Sequence, residues 1–209
     1  MSKTLIIGAS GQIGKMTSKL LLSKQQQVVA LVRDKRKLND LDSSLLTIVE
    51  QDLEADFSHA FEGCDQVIFA AGSGGNTGAD KTILIDLWAA KKAVDYAERQ
   101  NIKHFMMVSS IGADNPEAID TELKPYLVAK HMADQHLLQS ELHYTVVRPG
   151  TLTDENASMH ISTVRPDSQD DAKVSRENVA NVLTYIANKP HQKNTVFELF
   201  DGTNAISSL

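Results

Sequence analysis

Six short runs of apolar, often β-branched residues recur along the chain: Thr4 to Ile7, Val28 to Val32, Leu45 to Val49, Val67 to Ala71, Phe105 to Val108 and Tyr144 to Val147. Each has strand length and is nearly continuous in apolar character, the pattern of a strand covered on both faces. Between them, residues return at three- and four-residue spacing: Ile13, Met16, Leu20 and Leu21; Ile83, Leu84, Leu87, Trp88, Val94 and Ala97; and Leu127, Met132, His136 and Leu137. That spacing predicts helices. Strands alternating with helices on this scale call for a parallel sheet with right-handed crossovers, a doubly wound α/β fold with helices on both faces. The pattern continues with a helix from Arg176 to Asn188, capped by Ser175 and stopped by Pro190, and a last strand from Thr195 to Phe200. Three long irregular pieces remain, at 73–81, 111–121 and 150–173. All follow strands, and ligands in such sheets bind beyond the carboxyl ends of the strands, so these pieces are the expected walls of a site.

Length and charge narrow the picture. The 209 residues suit one domain, on a prior of about 100–200 residues each. Lysine and arginine number 21 against 27 aspartates and glutamates, a net charge of −6, which argues against a nucleic-acid partner. Cys64 is the lone cysteine, so an internal disulfide is excluded. No run approaches the roughly 18 apolar residues of a membrane span, and the opening segment lacks the pattern of a signal peptide. The expectation is a cytoplasmic monomer or homodimer acting on a small-molecule substrate, with no membrane partner.

The first strand runs into Gly8-Ala9-Ser10-Gly11-Gln12-Ile13-Gly14 at the opening of a helix. A tight turn, close backbone approach to a pyrophosphate and close helix–strand packing each favour glycine, while the helix N-terminus offers N–H donors. The position after the first strand and before a helix makes this a dinucleotide loop. Arg33, at the end of the second strand, is followed by Asp34, Lys35, Arg36 and Lys37. A guanidinium forks onto a 2′-phosphate, which favours NADP, whereas Asp34 offers a carboxylate that would serve NAD. Asp52 and Leu53 lie where such folds touch the adenine. Ala70, Ala71 and Gly72 end the fourth strand with small side chains that let a cofactor pass.

Ser109 and Ser110 follow the fifth strand, and Tyr126-Leu127-Val128-Ala129-Lys130 places phenol and amine four residues apart. Residues so spaced share a helix face. A lysine cation beside a tyrosine favours the phenolate, and a strand-end serine donates to a carbonyl oxygen on which charge develops. With a hydride source, Ser109 or Ser110, Tyr126 and Lys130 suffice for carbonyl reduction. The seven histidines show no metal-ligand spacing, so no metal is expected, and His131 and His136 read as surface or packing residues. Cys64 reads as a buried structural thiol, and Trp88 as core or a helix–helix dimer contact.

These motifs resemble the short-chain dehydrogenase/reductase superfamily, especially its small atypical NAD(P)-binding members, NmrA-like and flavin- or biliverdin-reductase-like. The likeness rests on residues 8–14, Arg33, Asp52, 69–72, 108–110, 126–130 and the TVVRPG segment at 145–150. It implies a Rossmann-type fold, an NADP site and Ser/Tyr/Lys chemistry, with Lys130 also on the nicotinamide ribose and Pro149 ending the strand beside the nicotinamide. One departure stands out: where many members carry a proton-relay asparagine, this chain has Asp86. Atypical members also include non-catalytic redox sensors, and reductases that only position NADPH against a flavin or tetrapyrrole. Both alternatives accompany the reductase reading.

Overall fold

The computed structural model describes residues 2–75, 77–118, 121–189 and 194–209. Five parallel strands come first: β1 (Lys3–Ile7), β2 (Gln27–Val32), β3 (Leu46–Glu50), β4 (Gln66–Phe69) and β5 (His104–Val108). β6 (Tyr144–Pro149) and β10 (Thr195–Asp201) extend the sheet in the same direction. Antiparallel β8 (His160–Ser162) and β11 (Asn204–Ala205) finish one edge, giving the order β3-β2-β1-β4-β5-β6-β10-β8-β11. β7 (Thr151–Thr153) and β9 (Lys173–Ser175) pair separately. The order reverses between β1 and β4, which opens a crevice above their carboxyl ends.

Period-2 alternation distributes the strand residues between two cores. Leu5, Ile7, Val29, Leu31 and Phe69 face one, with Phe57, Phe61, Ala93 and Leu137; Ile6, Val28, Ala30 and Ile68 face the other, with Leu21, Val179 and Leu183. The first is covered by α2 (Ala79–Arg99) and α3 (Lys124–Leu138), the second by α1 (Gln12–Ser23) and α4 (Arg176–Ala187). α2 is continuous but composite: α-helical Ala79–Lys81, π-helical Thr82–Ala89 and α-helical Ala90–Arg99.

This is the doubly wound arrangement that the strand pattern predicts, with differences. β3 lies at the sheet edge, so its residues are only partly covered and Ile48 is exposed. β4 stops at Phe69, and Ala70 and Ala71 leave the sheet for the crevice. Helical spacing in α2 is right, and Val94 and Ala97 turn inward as that spacing predicts, but in the first half Ile85 is buried in place of the bulkier Trp88. Small or polar Thr82, Asp86, Ala89, Ala90 and Ala93 turn inward, which lets the helix lie close to the sheet, and Ile83 and Trp88 are left exposed. Trp88 is therefore not core, and Met132 on α3 is likewise exposed. Ser175 caps α4 by accepting from the Asn178 N–H at 3.0 Å, and the helix ends at Ala187; Pro190 lies outside the described residues. Among the described residues, no helix is long and apolar enough to cross a membrane.

Candidate functional site

Geometry explains the glycines of the first loop. Gly8 has φ +85°, and a Cβ there would stand 2.7 Å from the backbone of Ala71, so only glycine lets the loop touch the exit of β4. A Cβ on Gly14 would fall 2.4 Å from the Gly8 carbonyl oxygen, where α1 packs on the loop. α1 starts from Gly11 with no side-chain cap and no acidic residue in its first turn. Its first N–H groups are therefore open to an anion.

Above this loop runs a groove of about 320 Å³ whose wall includes Gly8, Ser10, Gly11, Leu53 and the Ala70–Ser73 segment. Arg33 and Lys37 line its far end. Asp34 does not. Its carboxylate takes Nε and Nη2 of Arg36 at 2.8 Å each, and that hydrogen-bonded guanidinium holds the carboxyl down at about 2. No described residue occupies the Arg33 guanidinium, which leaves its fork free for a ligand.

A second cavity of about 560 Å³ adjoins the groove and shares Ala70, Ala71, Gly72, Ser73 and Thr77 with it. Ser109, Tyr126 and Lys130 all reach this cavity, together with Ile13, Asp86, Leu152 and Arg176. Pro125 at the start of α3 fixes the first turn from which Tyr126 projects. Lys130, one turn on, is buried and donates from Nζ to the Val108 carbonyl oxygen at 2.7 Å, so strand β5 holds the ammonium in place. Across the cavity mouth, the exposed Asp154 accepts from Gln12 Nε2 at 3.0 Å and Arg176 Nη1 at 2.8 Å, joining the glycine loop to α4.

The two strand-end serines differ from each other. Ser109 donates its hydroxyl proton to Asp134 Oδ2 at 2.9 Å, and Asp134 also accepts from Arg148 Nε at 3.0 Å. Ser110 donates to the Ile111 carbonyl oxygen at 3.1 Å and is not part of the cavity wall. In this arrangement both hydroxyl protons have protein acceptors, and Ser109 lines the cavity while Ser110 does not. Asp134 is buried, its Oδ1 has no hydrogen-bond partner among the described residues, and burial pushes its carboxyl above the ordinary aspartate value despite Ser109, Lys130 and Arg148.

Other positions divide. Ile13 lines the second cavity, while Gln12 turns toward Asp154. Asp52 accepts the Glu54 N–H at 2.9 Å and leaves the groove wall to Gln51 and Leu53, and Pro149 lies within the sheet, not on either wall. Among the three loops, 73–81 supplies most of the wall, 150–173 supplies Leu152, and no described residue of 111–121 contributes. Sequence reading passed over Asp134 and took Arg148 only as part of the TVVRPG segment, whereas Lys37 belonged to the basic run it set beside the 2′-phosphate. Asp134 carried a signal, four residues after Lys130 on one helix face, but nothing in the sequence marked Arg148 as its partner. His136 Nε2 bonds Asp95 Oδ1 at 2.6 Å and His131 Nδ1 lies 2.7 Å from the Ala113 carbonyl oxygen, packing roles both.

A glycine cradle that a Cβ would fill, an uncapped helix start and a free guanidinium together suit a dinucleotide. Comparison with known proteins agrees. The family model described as NAD(P)H-binding matches residues 8–190. A Bacillus subtilis (strain 168) protein named YhfK, an uncharacterized sugar epimerase, is 37% identical over 209 residues, spanning 98% of this chain and 97% of its own. A solved Bacillus halodurans protein, provisionally named an NAD-dependent epimerase/dehydratase, superposes with a TM-score of 0.92 at 39% identity, covering 100% of this chain and 98% of that one. The Lactococcus lactis oxidoreductase ylbE follows with a TM-score of 0.87 and 28% identity, over 99% and 94% of the two chains.

Proposed function

Because the chain belongs to the NAD(P)H-binding family and has the fold of short-chain dehydrogenase/reductase-like proteins, we propose that it is an NADP-dependent oxidoreductase acting on a small carbonyl compound. One observation carries this reading: Tyr126 and Lys130 open onto a cavity that shares its wall with the glycine-loop groove. Arg33 and Lys37 at the far end of the groove favour the 2′-phosphate form, since Asp34, the acceptor NAD would use, is bound to Arg36.

When bound, NADPH supplies the hydride. Tyr126 donates its phenolic proton from Oη to the substrate oxygen as charge develops there. Lys130, held by the Val108 carbonyl, stabilises the phenolate left behind. Ser109 offers its lone pairs to a hydroxyl in the cavity, while Asp134 keeps the serine proton out of it.

A screen of aldehydes, ketones, quinones and flavins with NADPH tests this reading. Net NADPH oxidation is expected with at least one carbonyl compound, and Tyr126→Phe is expected to lower kcat by about 10²-fold or more with NADPH affinity nearly unchanged. Undiminished turnover in that variant removes Tyr126 from the chemistry. Tight NADP binding with no turnover of any acceptor overturns the enzyme assignment.

A further inference from the structure

Asp86 is 1% exposed, yet only half of its carboxylate is occupied by protein. Oδ2 accepts the Ser73 backbone N–H at 3.0 Å. No described residue donates to Oδ1, and no described cation pairs with the group. A carboxylate withdrawn from water is costly to keep unless donors meet its lone pairs. Asp86 also lies on the cavity wall beside Gly72, Ser73 and Thr82. A Cβ on Gly72 would stand 3.1 Å from Oδ1, so the glycine leaves the approach to that oxygen clear. The helix here is the π-helical stretch Thr82–Ala89, a local geometry that recurs at functional sites.

We propose that Asp86 is the acceptor of a substrate subsite that takes a neutral hydroxyl group, so that the cavity selects hydroxylated carbonyl compounds over their deoxy counterparts. This rests on reading the cavity as the substrate side of a hydride-transfer site. A hydroxyl donates to Oδ1 without adding charge. An ammonium would instead face Lys130 and Arg176, which line the same cavity. The cavity's 560 Å³ leaves room for a polar substrate of several carbons.

Asparagine separates this role from a structural one. The side-chain oxygen of an Asp86→Asn variant still accepts the Ser73 N–H, but its second atom becomes an NH2 donor. Ligand-observed NMR on the protein saturated with NADP⁺ measures binding of glyceraldehyde, propanal and aminoacetone, and NADPH oxidation is followed with the same compounds. Glyceraldehyde is expected to bind at least 10-fold more tightly than propanal in the native protein. In Asp86→Asn that preference is expected to fall below 3-fold while NADP⁺ affinity stays within 2-fold. Equal binding of the two aldehydes, binding of neither, or a preference that survives in Asp86→Asn overturns the subsite. Preference for aminoacetone over glyceraldehyde overturns the neutral-donor assignment. If the preference appears and is lost in Asp86→Asn but no NADPH is oxidised, the subsite stands and the reductase reading falls. If both aldehydes are reduced equally well, the reductase reading stands and the subsite falls.

Discussion

Ser109 aims its hydroxyl proton at Asp134, 2.9 Å away, and not into the cavity that it lines. Asp134 in turn meets Arg148, whose side chain is 11% exposed against 0% for the aspartate. A buried ion pair loses most when one partner is deleted and the other stays charged. Asp134→Ala is therefore expected to cost about 3–5 kcal/mol of stability, measured by urea unfolding, and Asp134→Asn much less. A loss below about 1 kcal/mol for Asp134→Ala, well under the usual cost of breaking such a pair, would falsify the pairing.

The same carboxyl gives a pH dependence with a definite sign. Burial raises the Asp134 value in the folded state, so the folded protein holds that proton more tightly than the unfolded chain. Its contribution to stability is full below the ordinary aspartate value of about 3.9 and is lost as pH rises through the folded value. The stability of the native protein relative to Asp134→Asn is expected to decline from pH 4 upward and then level off. A difference that grows with pH reverses the sign and removes burial as the dominant influence.

Arg33→Ala tests the basic end of the groove. Loss of a forked guanidinium–phosphate contact is expected to weaken NADPH by 10-fold or more, about 1.4 kcal/mol, and NADH hardly at all. Fluorescence titration of the two coenzymes decides it, and equal weakening of both removes the 2′-phosphate assignment.

Gly8→Ala places a methyl 2.7 Å from the Ala71 backbone at φ +85°. Left-handed strain and the collision act together, so a stability loss above about 1–3 kcal/mol and loss of coenzyme binding are expected. Calorimetry and coenzyme titration check both. An unchanged melting temperature contradicts the close approach of the loop to the β4 exit.

Cys64 is half-buried, and burial pushes its thiol up to about 11. At pH 8 roughly one molecule in a thousand then carries the reactive thiolate. Iodoacetamide labelling of the native protein is expected to be slow and to accelerate sharply in denaturant. Rapid labelling without denaturant contradicts that burial.

The sheet was legible in the sequence because strands buried on both faces write continuous apolar runs, and the glycine loop because its backbone shape demands glycine at Gly8 and Gly14. The inward face of α2 was legible only in its second half, at Val94 and Ala97. Bulky Trp88 and Ile83 dominate any count of apolar residues, yet close packing against the sheet selects Thr82, Asp86, Ala89 and Ala90, which such a count passes over. Tyr126 and Lys130 were legible from their spacing. The direction in which Ser109 donates was not, because it depends on Asp134, 25 residues away in sequence, and on Arg148 from the next strand.

The segment from Ala70 to Ser73 lines the groove and the cavity alike. A side chain exchanged in this segment therefore alters the lining of both spaces at once, so no substitution there is confined to one of them.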